Sequence, residues 1–311
     1  MRPGRLACRA VSEAADPRPA QLPLPGGRPG ATVRVHPMRT GTIRAMPHFL
    51  QRPGGPLGTL RGLGLLTPRS RWTDVPIPAF AVEHPGAGLL MVDTGLHPAI
   101  ADDPREGLGR LGALALNVTM RPEWAAPVQL RGLELDPAAV RAVVMTHLHY
   151  DHAGAVAEFP QATFVVDGVE WAAARSGGMR HGYRRALFDH PFDWRLLDFD
   201  AQEVGSHVTF GRALDLFGDG SVRLLSTPGH SAGHLSVLLR LSGDRELLLT
   251  ADAAYARRTI AEDLVPVFMD DEHRYRRSLG EIRRYLEQFP DTEVVCGHDA
   301  EGWPAVRDLY A

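Results

Sequence analysis

Thr146-His147-Leu148-His149-Tyr150-Asp151-His152-Ala153-Gly154 packs three imidazoles and a carboxylate into six consecutive positions. That is a metal site in outline, and it requires a fold that brings further ligands to the same place. The preceding run Ala142-Val143-Val144-Met145 is apolar and partly β-branched, so it reads as a buried strand. Residues two apart in a strand share a face, so His147 and His149 leave its end on one side and can hold one cation. Asp151 and His152 follow where the chain turns, with a helix expected near Ala153-Gly154, and they can reach a second cation. Neutral imidazole nitrogens and carboxylate oxygens suit zinc best, and manganese, iron or cobalt accept the same donors.

Two coordination spheres need more than four ligands. Strand-like Val222-Arg223-Leu224-Leu225 runs into Ser226-Thr227-Pro228-Gly229-His230-Ser231-Ala232-Gly233-His234. Leu247-Leu248-Leu249-Thr250-Ala251-Asp252 repeats the pattern with a carboxylate, and Glu293-Val294-Val295-Cys296-Gly297-His298-Asp299 with a histidine. A lone histidine is more often a surface or satisfied core residue than a ligand. Four strand-to-loop junctions that each end in a donor outweigh that reading.

In order and spacing, the HxHxDH run, the Pro-Gly-His loop, the later Asp and the final Gly-His resemble the metallo-β-lactamase superfamily over roughly residues 35 to 311. More narrowly, Thr146 to Gly154, Thr227 to Ser236, Ala251-Asp252-Ala253-Ala254-Tyr255 and Cys296-Gly297-His298-Asp299 resemble the N-acyl homoserine lactone lactonases, the quorum-quenching branch. The resemblance implies an α/β fold, a four-layer αββα sandwich with a dinuclear metal site at the edge of its two sheets. It implies His147, His149 and His230 on one metal, Asp151, His152 and His298 on the other, and Asp252 bridging both. Two divalent cations about 3.5 to 4 Å apart would also share a hydroxide, ionised near neutrality and able to attack a lactone carbonyl.

The resemblance also assigns roles around the metals. Tyr255, three residues after Asp252, would point its phenol at the substrate carbonyl and stabilise the oxyanion; the alternative is a tyrosine packed under the metal loop. Asp151 would relay a proton to the departing ring oxygen. His234 and Asp93 read as residues that orient ligands or loops rather than bind metal. Cys296, with only the distant Cys8 as a partner, reads as a buried free thiol.

Composition narrows the alternatives. The 311 residues, 44% of them hydrophobic, carry a net charge of −3, which offers no electrostatic case for nucleic acid. All 34 basic residues are arginine. Two cysteines make no disulfide framework, and no apolar stretch nears the roughly 20 residues of a membrane helix, so a soluble cytoplasmic enzyme is expected, and the resemblance implies a small lactone as its substrate. Residues 1–31, rich in Pro, Arg, Ala and Gly, are expected to be disordered, and 32–311 to form the hydrolase domain. Residues 50 to 70 read either as a loop flanking the site or as a surface excursion. The apolar segment 169–200 reads as a cap walling a substrate pocket, a homodimer face or ordinary core, with His181 and His190 as surface residues. Phe80 to Glu83 and Leu89 to Val92 read as a hairpin, and Arg274 to Phe289 as an amphipathic helix.

Rivals within the superfamily separate on the same positions. Common dizinc β-lactamases carry Cys in place of Asp252, and diiron flavoproteins carry Glu in place of His149. Glyoxalase-II-type thioesterases share nearly all the ligands, but only thirteen residues follow His298.

Overall fold

The computed structural model describes residues 14–46, 48–55, 57–62, 64, 67–201 and 204–311. Among them fourteen strands form two sheets. The first contains β1 (Arg18–Pro19), β2 (Arg34–Ala45), β3 (Thr73–His84), β4 (Gly88–Val92), β5 (Val118–Thr119), β6 (Val140–Val144), β7 (Thr163–Asp167) and β8 (Asp193–Leu197), in the order β1-β8-β7-β6-β4-β3-β2-β5. The second contains β9 (Gly205–His207), β10 (Phe210–Asp215), β11 (Val222–Ser226), β12 (Leu235–Arg240), β13 (Glu246–Ala251) and β14 (Glu293–Cys296), in the order β14-β13-β12-β11-β10-β9. The helices are α1 (Gly58–Gly62), α2 (Pro104–Ala115), α3 (Ala126–Gly132), α4 (Gly168–Ser176), α5 (Arg185–Phe188), α6 (Arg257–Glu262) and α7 (Glu272–Gln288).

The two-residue period of the strands sorts their side chains into three of the layers' interfaces. Ala142 and Val144 of β6, with Phe80, Val82, Leu90 and Val92, face Leu224, Val237, Leu239, Leu247 and Leu249 of the second sheet. Val143 faces the other way, with Phe164, onto Leu130 of α3, Trp171 of α4 and Phe188 of α5. On the far side Leu225, Leu238 and Leu248 meet Tyr275, Leu279 and Ile282 of α7. Both faces of the central strands are therefore covered, which is why they read as nearly continuous apolar runs. The arrangement is the expected αββα sandwich. Asp271 caps α7 by accepting the Arg274 N–H at 3.0 Å, and each fully buried Leu or Ile on its inner face contributes about 1.5 to 3 kcal/mol.

Two local expectations are corrected. Residues 14–31, part of the stretch expected to be disordered, form a strap along the sandwich, while residues 1–13 lie outside the described residues. β1 pairs in parallel with β8, the Ala15 N–H donates to Asp189 Oδ1 at 2.9 Å, the Leu24 N–H to the Leu216 carbonyl at 2.7 Å, and Leu22 and Leu24 pack on the core between the sheets. An extended strap needs neither helical nor strand periodicity, so composition conceals it. No helix starts at Ala153-Gly154; a single 3-10 turn at Val156–Glu158 follows. The His152 carbonyl that a helix would use accepts the Thr94 and Gly95 N–H groups instead. A Cβ on Gly154 would lie only 2.5 Å from the His97 nitrogen, so this backbone is wedged against the loop after β4.

The sequence leaves residues 169–200 open between a cap, a homodimer face and ordinary core. Trp171, Phe188 and Trp194 are core under the first sheet, with Trp171 and Trp194 ring centroids 4.8 Å apart. Their apolar mass is spent on packing and not on a pocket wall. His190 is buried, while His181 is exposed as expected. Tyr183 reaches forward to form an isolated bridge with His149, and Glu170 reaches the loops that carry His147 and His230.

Candidate metal centre

Five strands, β4, β6, β11, β13 and β14, deliver the site from their C-terminal ends, followed respectively by Asp93, the His147 to His152 run, His230, Asp252 and His298. β4 and β6 are parallel neighbours, as are β13 and β14, so their ends open on the same edge of each sheet. Asp93 and Ala251 adopt left-handed backbone conformations, φ 56° and 44°, which turn the chain sharply as each strand ends.

The expected ligands converge. His147, His149 and His230 form one cluster with donor atoms within 4.8 Å of one another, and Asp151, His152 and His298 form another. In the first, His149 Nδ1 lies 3.0 Å from His230 Nε2. In the second, His298 Nε2 lies 3.6 Å from Asp151 Oδ2. Asp252 stands between them: its Oδ2 is 3.2 Å from His230 Nε2, 3.4 Å from His298 Nε2 and 3.8 Å from His147 Nε2, and its Oδ1 is 3.4 Å from His152 Nε2.

The donor set fits cations on chemical grounds. His147 Nε2, His152 Nε2 and Asp252 Oδ1 are buried without any hydrogen-bond partner. Orphaned polar atoms in a protein interior cost free energy, and three that face one another are satisfied together by cations. The outward nitrogens are held so that the inward ones are free to coordinate. His152 Nδ1 donates to Asp93 Oδ2 at 2.8 Å, His298 Nδ1 donates to the Pro76 carbonyl at 2.8 Å, and His147 Nδ1 pairs with Thr146 Oγ1 at 3.1 Å. Asp93 also accepts the Thr146 N–H and hydroxyl at 2.8 and 2.7 Å. His234 donates to Thr227 Oγ1 at 3.0 Å and accepts the Asp252 N–H on Nε2 at 3.0 Å, so it holds Asp252 from behind.

Charge in the site is divided. Burial drives His147 and His230 well below the ordinary imidazole range and His149 down to about 3, which leaves them neutral. Burial pulls His152 and His298 the same way, but Asp252 and its neighbouring carboxylates outweigh it and raise both. Burial would raise the Asp252 carboxyl, yet His298, His152 and His230 hold it well below the usual range. The negative charge is therefore fixed at the point between the two clusters, where cations would replace the imidazole protons.

Tyr255 is buried at the same place, its hydroxyl 3.2 Å from His230 Nδ1 and 3.3 Å from the Phe268 carbonyl, which it donates to. Its ring stacks on Phe49 with centroids 4.5 Å apart and planes at 6°, and Phe49 also meets His298 edge-on. The loop leaving β2 thus flanks the site at Phe49, a residue with no sequence signal beyond being aromatic. Glu170 is a second participant that sequence reasoning missed. Its buried carboxylate accepts the Leu148 N–H at 3.0 Å and the Gly233 N–H at 3.1 Å. Its signal was the Asp167-x-x-Glu170 spacing at the start of α4. Gly229-His230-Ser231-Ala232-Gly233 also spells the nucleophile elbow Gly-x-Ser-x-Gly. Here it joins β11 to β12, not a strand to a helix, so Ser231 does not sit on the strand-to-helix turn that exposes a nucleophile. Cys296 is a buried free thiol whose ionisation burial pushes up to about 12.

The sequence model of a family described as the metallo-beta-lactamase superfamily matches residues 72–298. The N-acyl homoserine lactonase AttM of Azorhizobium caulinodans is 35% identical over 281 residues, which cover 88% of this chain and 96% of its own length. AttM of Rhizobium radiobacter is 32% identical over 277 residues, covering 87% and 95%. Among solved structures, an N-acyl homoserine lactone hydrolase with the product N-hexanoyl-L-homoserine bound at the catalytic metal center superimposes with a TM-score of 0.70 at 21% identity, covering 89% of this chain and 97% of that one. At that identity the likeness is one of fold. The family match runs from the start of β3 to the last histidine of the second cluster and takes in most of the chain: the chain belongs to the metallo-beta-lactamase superfamily.

Proposed function

We propose that this chain hydrolyses the lactone ring of N-acyl homoserine lactones, using two divalent metal ions, zinc foremost. The observation that carries the reading is Asp252 between two complete histidine clusters, followed three residues on by a buried tyrosine whose hydroxyl borders the first. Curated relatives that carry the name N-acyl homoserine lactonase and share nearly the whole length support the substrate class.

When bound, a pair of divalent cations supplies Lewis acidity toward a carbonyl and lowers the pKa of water enough to yield a nucleophile near neutrality. His147, His149 and His230 would hold one cation, Asp151, His152 and His298 the other, and Asp252 both. His230 with its Nε2 inward carries its proton on Nδ1 and donates it to the Tyr255 oxygen, which leaves the phenol proton free to be directed. That proton goes to the Phe268 carbonyl at 3.3 Å, a long bond that is readily exchanged. On substrate entry it turns to the lactone carbonyl oxygen and stabilises the charge that develops there. Water adds to the carbonyl carbon, the bond from that carbon to the ring oxygen breaks, and Asp151 passes a proton to the departing oxygen to give N-acyl homoserine. The working compartment we propose is the cytoplasm. Among the described residues no helix is long and apolar enough to cross a membrane, and the cysteine there is a free thiol.

The test is hydrolysis of N-hexanoyl homoserine lactone in heavy-oxygen water by metal-loaded protein, read by mass spectrometry. One added water with the label in the carboxylate is expected. Label in the alcohol, or no product, contradicts the reading.

A further inference from the structure

Helix α4 opens with Asp167 as its cap, accepting the Val169 N–H at 2.6 Å, and with Glu170 at the third helical position. In that pattern the glutamate ordinarily turns back to the N–H of its own cap residue. Glu170 does not. One carboxylate oxygen accepts the N–H of Leu148 and the other the N–H of Gly233. Leu148 lies between His147 and His149, and Gly233 lies between His230 and His234. A single side chain therefore ties together the two loops that carry the first histidine cluster.

The close approach is built in. A Cβ on Gly233 would lie 2.4 Å from the Glu170 nitrogen, 2.8 Å from Glu170 Cβ and 2.8 Å from Asp167 Oδ1. Tyr183, which bridges to His149, and Ser231, which follows His230, border the same carboxylate. Glu170 is 0% exposed. A buried carboxylate is costly, and capping a helix does not require one; bonds from a charged acceptor to two fixed backbone donors are strong and directional. The second cluster has its own supports in Asp93 and the Pro76 carbonyl.

We propose that Glu170 is a positioning residue that sets the separation of the His147–His149 and His230–His234 loops and so fixes the first metal's half of the site. The proposal rests on the ligand assignment above. Glu170→Gln leaves one acceptor for two backbone donors, and Gly233→Ala forces the clasp apart without altering charge.

Both are tested by cobalt titration of the metal-stripped, refilled protein, with visible absorption and chelator competition resolving two binding events, and with His147→Ala and His298→Ala marking which event belongs to which cluster. In both clasp variants the event lost in His147→Ala should weaken about 10- to 100-fold while the other changes less than about threefold, the range seen when outer partners of metal ligands are removed. Unchanged affinities in both variants overturn the clasp, and so does equal weakening of both events, which would mean a general loss of packing. If His147→Ala itself leaves cobalt binding intact, the ligand assignment has failed, and the clasp fails with it. Should Glu170→Gln not fold, Gly233→Ala answers alone.

Discussion

Asp93→Asn isolates the tautomer of His152, one of the proposed metal ligands. Asp93 Oδ2 accepts from His152 Nδ1 at 2.8 Å, which holds one proton on the outer nitrogen and leaves Nε2, the nitrogen that faces Asp252, as the one a cation would take. Oδ1 accepts the Thr146 N–H at 2.8 Å. Asparagine has nearly the same shape and tolerates the left-handed φ of 56° at this position, so the backbone turn survives. Its amide, however, offers one acceptor where two are needed. With the NH2 toward His152 two donors collide, and the ring relieves the clash only by moving its proton to Nε2, which blocks coordination. With the amide flipped, the same collision falls on the Thr146 N–H. Either way at least one bond to a charged acceptor is lost, worth about 1.5 to 3 kcal/mol. Since 1.4 kcal/mol is a factor of ten, affinity for the second cation should fall roughly 10- to 150-fold. Chelator competition with zinc, alongside thermal unfolding of the metal-free protein, measures both parts. Two cations held at unchanged affinity in Asp93→Asn would refute the tautomer argument.

Asp252→Ala should lose both metals and activity together, as measured by metal content and lactone turnover, because the residue faces both clusters. Tyr255→Phe should retain metal and lose about 10²- to 10³-fold in kcat, as for removal of one oxyanion donor; an unchanged kcat would leave the tyrosine as packing only. Asp167, whose carboxyl burial raises to about 7, pays for its charge as pH rises. The penalty is absent below the unfolded value near 4, grows between the two values and is complete above 7, so Asp167→Asn, which keeps the cap, should raise Tm more at pH 8 than at pH 5. Removing residues 14–31 with all that precedes them should cost about 2 to 4 kcal/mol of stability through the loss of Leu22 and Leu24 packing, measured by denaturant unfolding.

The convergence of these donors at one edge was legible because two strong signals coincide there. Strand periodicity locates the ends of β6, β11, β13 and β14, and the donors sit within a few residues of those ends, so local chain geometry nearly places them. What holds the donors was less legible. Asp93 and His234 lie inside recognisable motifs, but Pro76 acts through a backbone carbonyl, which any residue supplies. Glu170 lies at a capping position whose local meaning misleads. The aromatic segment from 169 to 200 shows why composition alone leaves function open, since Trp171 and Trp194 are equally at home in a core, a cap or an interface. The strap of residues 14–31 has few apolar residues, yet Leu22 and Leu24 suffice because the surface that receives them is already folded.

Metal-dependent lactone opening is tested most directly by one hydrolysis panel run on metal-loaded and chelator-stripped protein: short- and long-chain N-acyl homoserine lactones, a simple γ-lactone, S-lactoylglutathione, an aryl phosphotriester and a cephalosporin. Preferential opening of the acyl homoserine lactones, abolished by the chelator and restored by added metal, is the result expected. Turnover confined to the thioester or the phosphotriester would contradict the substrate assignment while leaving the metal centre in place, and lactone opening that survives removal of metal would contradict the mechanism itself.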